Sequence, residues 1–126
     1  MPDGDVQILG WCNQIRQTAY DLHRFLKHGH LERVYETGMS HRLRALGLSV
    51  EQQCRLSVYD EDGTSLGDYF ADLYVEQAII VELKTCRQIA NEPIAQMLGY
   101  LRACRRQHAL LINFGAPVLQ IRKVAL

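Results

Sequence analysis

Between Val6 and Leu26 the apolar residues Ile8, Leu9, Trp11, Cys12, Ile15, Ala19, Leu22, Phe25 and Leu26 recur at helical spacing, which predicts a first amphipathic helix. His28 and Gly29 interrupt it. A second helical pattern runs from about His30 through Leu46 and ends at Gly47, a residue suited to a C-cap. Beyond Gly47 the period shortens. Val50 to Tyr59 alternates as a strand and Asp60 to Gly63 is an acidic turn. Tyr69 to Thr85 then holds two β-branched and aromatic runs around the polar break Glu76 and Gln77, the pattern of a hairpin. Asn91, as N-cap, and Pro93 open a third helix that continues to about Arg106. Ala109 to Phe114 and Val118 to Val124 read as two further strands joined by Gly115, Ala116 and Pro117. The predicted order is α-α-β-β-β-α-β-β, an α/β fold whose central mixed sheet of about five strands carries helices on its faces.

Length and composition bound this picture. With 126 residues, 48% of them hydrophobic, and three prolines, the chain is expected to form one domain over residues 1–126, without repeats or flexible linkers. No apolar run reaches membrane-spanning length, and Asp3 and Asp5 precede a broken apolar stretch, unlike the layout of a signal peptide. The expectation is a cytoplasmic protein with no membrane partner. Cys12, Cys54, Cys86 and Cys104 stand far apart and form no Cys-x-x-Cys pair, so reduced, mostly buried thiols are expected rather than zinc or iron-sulfur ligands.

Formal net charge is zero, but the two parts of the chain have opposite sign. From Lys84 onward seven bases (Lys84, Arg87, Arg102, Arg105, Arg106, Arg122 and Lys123) face the single acid Glu92, a net of plus six that the first 83 residues balance with minus six. A basic C-terminal surface suits a phosphate backbone; solvated helix and strand faces explain the same charges without a partner.

The candidate chemistry lies in the hairpin. Strand side chains alternate, so Ala78, Ile80, Glu82 and Lys84 share one face of the second run, and Phe70, Asp72 and Tyr74 share one face of the first. Cross-strand pairing then sets Asp72 against Glu82, with Lys84 as a near neighbour. Two carboxylates so close repel unless a cation joins them, and hard oxygen donors suit Mg²⁺ or Mn²⁺. Such a site can acidify water and neutralise charge on a scissile phosphate, with Lys84 orienting that water or stabilising the transition state. A solvated strand face is the alternative reading of the same three residues. On the third helix Gln96 and Tyr100 are four residues apart and project from one face, within reach of the same substrate or the metal site; surface polarity and a half-buried tyrosine are the alternative reading. Glu32 stands at the start of the second helix, where the helix dipole favours a carboxylate, or else supplies a further acid to the metal site.

The segment around Glu32 reads GHLERVYE from Gly29, of the form Gly-x-x-Glu-x-x-Tyr. With Gly47 and Gln53, DYFADLYVE, IIVELK, AQMLGYL and LLINFG, it gives the chain from about Tyr20 to Val124 a resemblance to the GxxExxY protein family of the PD-(D/E)XK nuclease superfamily. Ala71 stands where the superfamily signature has proline, and His28 where relatives often have glycine. The resemblance implies a restriction-endonuclease-like core and a metal-dependent nuclease acting on nucleic acid, DNA rather than RNA. It implies that Asp72 and Glu82 bind metal and that Lys84 assists the water. Glu32 is then a further metal-site acid, the Leu83 carbonyl another ligand, and Gln96 and Tyr100 supporting residues. The alternative is an inert nuclease-fold module for nucleic-acid binding or assembly. The small size further suggests a homodimer, with the apolar first helix as its surface.

Overall fold

The computed structural model describes residues 2–126, with side chains described from residue 4 onward, so the side chain of Asp3 lies outside them. The elements are α1 (Pro2–Leu26), α2 (Glu32–Ala45), β1 (Val50–Tyr59), β2 (Ser65–Val75), β3 (Ile79–Lys84), α3 (Asn91–Ala103), β4 (His108–Asn113) and β5 (Gln120–Ala125). Their order is the order that the hydrophobic pattern predicts. The five strands form one sheet in sequence order. β1, β2 and β3 are antiparallel neighbours, β4 lies parallel to β3, and β5 returns antiparallel. The parallel pair exists because α3 carries the chain back along the sheet between β3 and β4, the crossover that parallel strands require.

Each face of the sheet has its own core. On one side Cys12, Ile15 and Leu22 of α1 and Tyr35, Met39 and Leu43 of α2 pack on Leu73, Val81, Leu83, Leu110 and Ile112. On the other, Met97 and Leu101 of α3 pack on Leu56, Ala71, Tyr74, Ile80 and Ala109. Most of these side chains are fully buried, and each large one contributes roughly 1.5–3 kcal/mol by leaving water. β3 and β4 are therefore covered on both faces, which explains the near-continuous apolar runs IIVEL and ALLI.

Several boundaries differ from the pattern-based reading. β2 starts four residues early, at Ser65, because Gly67 and Asp68 pair with Val58 and Ser57 of β1. Asn91 is the first helical residue of α3, not its cap; Ala90 holds the cap position without a side-chain bond. At the other end Arg105 adopts φ +57. The amides of Arg105 and Arg106 bond back to Arg102 and Leu101, so these two arginines close α3 rather than extend it. All four cysteines are free, but only Cys12 and Cys104 are buried; Cys54 is partly exposed and Cys86 exposed.

Candidate active site

The β2–β3 ladder is short. It joins Val75 to Ile79, Tyr74 to Ile80 and Leu73 to Val81, and Asp72 and Glu82 would form the next pair. Here the strands part, and side chains take over from the ladder. The Leu83 N–H donates to Asp72 Oδ2 at 2.8 Å, and the Asp72 N–H donates to Glu82 Oε1 at 3.2 Å. Each carboxylate thus satisfies a backbone donor that the fork would otherwise leave unpaired.

Glu82 is largely withdrawn from water. Burial first, and then the negative charge of Asp72, push its carboxyl up to about 8. Hydrogen bonds from the Tyr69 hydroxyl and the Asp72 amide oppose that rise. The Tyr69 hydroxyl is itself pushed far above its ordinary value, by burial and then by Glu82, so it serves as a donor only. Tyr69 is held in turn by Tyr100, stacked on it at 4.0 Å between ring centroids.

Glu82, Lys84, Tyr69, Gln96 and Tyr100 line one cavity of about 130 Å³ between β3 and α3. Lys84 forms no ion pair among the described residues. Gln96 is exposed and Tyr100 half-buried, and both line this cavity from α3. Asp72 borders a second cavity of about 550 Å³ on the α2 side, together with Glu32, Glu36, Gln52 and Gln53. Partial burial, and then the charge of Asp72, raise the Glu32 carboxyl above its ordinary range, with Lys84 opposing and Glu36 adding to the rise. Glu32 therefore feels both Asp72 and Lys84, although no hydrogen bond ties it to either carboxylate of the fork.

The Gly-x-x-Glu-x-x-Tyr segment divides into architecture and chemistry. Gly29 turns the chain between α1 and α2 at φ +108, where a side chain would be strained. Tyr35 is fully buried, donates to the Lys27 carbonyl and stacks on Phe114 at 4.5 Å. Glu32 alone of the three faces the site.

Sequence reasoning left four contributors without a role. Tyr69 reads as an ordinary strand aromatic, yet it is a donor to Glu82. Glu36, inside the helical pattern of α2, is buried and accepts bonds from the side-chain amides of Gln52 and Gln53. Gln53 also reaches Asp72 Oδ1 at 3.2 Å. Asn113 is fully buried, and its amide grips both the N–H and the carbonyl of Cys86, two residues beyond Lys84. An asparagine inside the otherwise apolar run from Ala109 to Phe114 is the available signal for the last.

Among the described residues no three His, Cys, Asp or Glu side chains gather closely enough to hold a metal by themselves. The donor set that the structure shows at the fork is two carboxylates. It suits a hard divalent cation, which usually takes one or two carboxylates and completes its shell with water and phosphate oxygens. The buried Glu82, destabilised as an anion beside Asp72, is the group whose charge such a cation would relieve.

Among the described residues no helix is long and apolar enough to cross a membrane. A comparison with curated proteins finds no match. A solved structure described as "Crystal structure of SSO0001" is similar in fold, with a TM-score of 0.59 at 15% identity over 74% of this chain and 48% of that chain. The present chain thus spans about half the length of that one. The family model of the PD-(D/E)XK nuclease superfamily matches residues 10–124. With that match over a five-stranded mixed sheet of restriction-endonuclease-like type, the chain belongs to the PD-(D/E)XK nuclease superfamily.

Proposed function

We propose that this protein is a nuclease of the GxxExxY kind that hydrolyses phosphodiester bonds in DNA with Mg²⁺ or Mn²⁺ as cofactor. The observation that carries the reading is the fork where two strands part, at which Asp72 and Glu82 each bind the strand of the other and Glu82 shares a cavity with Lys84. In this reading Asp72, Glu82 and the Leu83 carbonyl hold the cation, and Glu32 adds a further acid at the rim. When bound, the cation supplies an acidified water and neutralises charge gathering on the scissile phosphate.

The chain's own residues supply the rest. Lys84, free of any carboxylate partner within ion-pair distance among the described residues, steadies the attacking water or a phosphate oxygen. Tyr69 fixes the Glu82 carboxylate through its hydroxyl, and Tyr100 fixes Tyr69 by stacking. Gln96, exposed at the same cavity, is placed to meet the substrate. Attack at phosphorus displaces the 3′ oxygen and leaves a 5′ phosphate. The net charge of plus six from Lys84 onward supports a polyanionic substrate.

One observation favours a second reading, a nucleic-acid-binding module without catalysis. Asp72 and Glu82 already satisfy backbone donors at the fork, a structural task that needs no cation. A panel of labelled single-stranded, duplex and branched DNA and RNA, incubated with Mn²⁺, Mg²⁺ or EDTA beside a Glu82→Ala variant, separates the two. Metal-dependent cutting of DNA that the variant lacks supports the nuclease. Salt-sensitive binding with no cutting by either protein supports the binding module.

A further inference from the structure

Gln53 occupies a backbone conformation that a strand interior does not normally hold. Its φ is +50, in the left-handed region that costs any side chain other than glycine or, less so, asparagine. It is also missing from the β1–β2 ladder. Gln52 pairs with Leu73 and Cys54 pairs with Ala71, so the residue facing the gap left by Gln53 is Asp72.

Both strands change hands at this position. Residues an even number apart in a regular strand share a face. Val50 nevertheless packs in the core under α1 and α2, whereas Leu56 packs under α3. On β2 Leu73 belongs to the first core and Ala71 to the second. The shared face expected for Phe70, Asp72 and Tyr74 is therefore broken at Asp72: Phe70 is exposed while Tyr74 is buried under α3. Gln53 and Asp72 are the two points of inversion, set opposite each other.

The Gln53 side chain uses this geometry. Its Nε2 donates to Glu36 Oε1 at 2.7 Å and to Asp72 Oδ1 at 3.2 Å. The other Asp72 oxygen takes the Leu83 N–H. Asp72 is thus held by one neutral donor on each oxygen, which leaves its negative charge available; a lysine or arginine in place of Gln53 would neutralise that charge and compete with a cation. Strain of this kind persists where surroundings over-determine it, and it gathers at functional sites.

We infer that Gln53 is a positioning residue that orients Asp72 for cation binding, with Glu36 as its anchor and its strained backbone as the means of reach. The inference rests on the reading of Asp72 as a cation ligand. The test is calorimetric titration of the metal-free full chain with Mn²⁺, for wild type, Gln53→Gly, Gln53→Asn and Asp72→Asn, alongside thermal unfolding in EDTA. Glycine relieves the left-handed backbone and asparagine tolerates it, and neither has an amide that reaches both carboxylates. The expected result is that Gln53→Gly unfolds no earlier than wild type yet binds Mn²⁺ about 10- to 100-fold more weakly, the usual effect of losing a residue that orients a ligand. Gln53→Asn should show the same loss, and Asp72→Asn should abolish binding. Wild-type affinity in Gln53→Gly, with binding lost in Asp72→Asn, overturns the role of Gln53 alone. An affinity loss matched by lost stability in both Gln53 variants marks a structural residue and also overturns it. Mn²⁺ binding that survives in Asp72→Asn overturns this inference and the ligand reading together.

Discussion

Asp72 and Glu82 each hold the strand of the other. The Asp72 carboxylate takes the amide of Leu83 on β3, and the Glu82 carboxylate takes the amide of Asp72 on β2. The exchange fixes both acids where the ladder ends, before any ligand arrives. It also places two carboxylates at one partly buried point, with consequences for pH and for cation binding.

The first concerns stability. In the fold the Glu82 carboxyl sits at about 8, against an ordinary 4.5. Folding therefore favours its neutral form, a contribution that is complete below the ordinary value and lost as pH rises through the folded value. Glu82→Gln stays neutral throughout. In EDTA its melting temperature should match wild type near about pH 5 and exceed it by about 3 °C or more at about pH 9. Calorimetric scans that run parallel across that range would contradict the placement of Glu82.

Lys84 should act on the chemical step and not on the cation. Lys84→Met keeps the aliphatic stem and removes the charge. Cleavage should fall about 10²- to 10³-fold, as when one electrostatic donor is lost, while Mn²⁺ affinity holds or improves. Single-turnover kinetics beside a binding titration would show whether the two separate.

Tyr69→Phe removes the hydroxyl bond to Glu82 and keeps the stack on Tyr100. That donor favours the ionised carboxylate, so its loss raises the Glu82 pKa further. Mn²⁺ binding should weaken about 10- to 100-fold, and its midpoint in a pH titration should move to higher pH. An unmoved midpoint would mean that the tyrosine does not govern Glu82.

Behind the site, Gly115 lies against the chain just past Lys84. A Cβ there would meet the Cys86 nitrogen at 2.5 Å and the Cys86 oxygen at 2.6 Å, backbone that Asn113 already grips. Gly115→Ala should cost about 1–3 kcal/mol, the range for overpacking. Denaturant titration checks the loss. Refolding of the variant at wild-type stability would show that this contact is slack.

The order of elements was legible because it depends on local period. Alternation in IIVELK put Glu82 beside Lys84, and the hairpin put Asp72 within reach, all from one short stretch of chain. What the pattern missed depends on partners distant in sequence. The left-handed turn at Gln53 and the face inversion at Asp72 arise where β1, β2 and α2 meet, and no residue type announces them. Glu36 is buried because Gln52 and Gln53 supply donors for both of its oxygens, which helical periodicity alone does not reveal. Arg105 in a left-handed cap defies the preference for glycine, so the helical pattern runs past the end of α3 at Ala103.

Mn²⁺-dependent cleavage of end-labelled DNA by the wild-type protein and by Asp72→Asn, prepared identically and shown to be equally folded by circular dichroism, decides whether this fork cuts DNA. Cutting by wild type that EDTA stops and that falls at least about 100-fold in the variant is the expected result. Equal cutting by the two proteins, or none by wild type with either Mn²⁺ or Mg²⁺, would contradict a nuclease built on this fork.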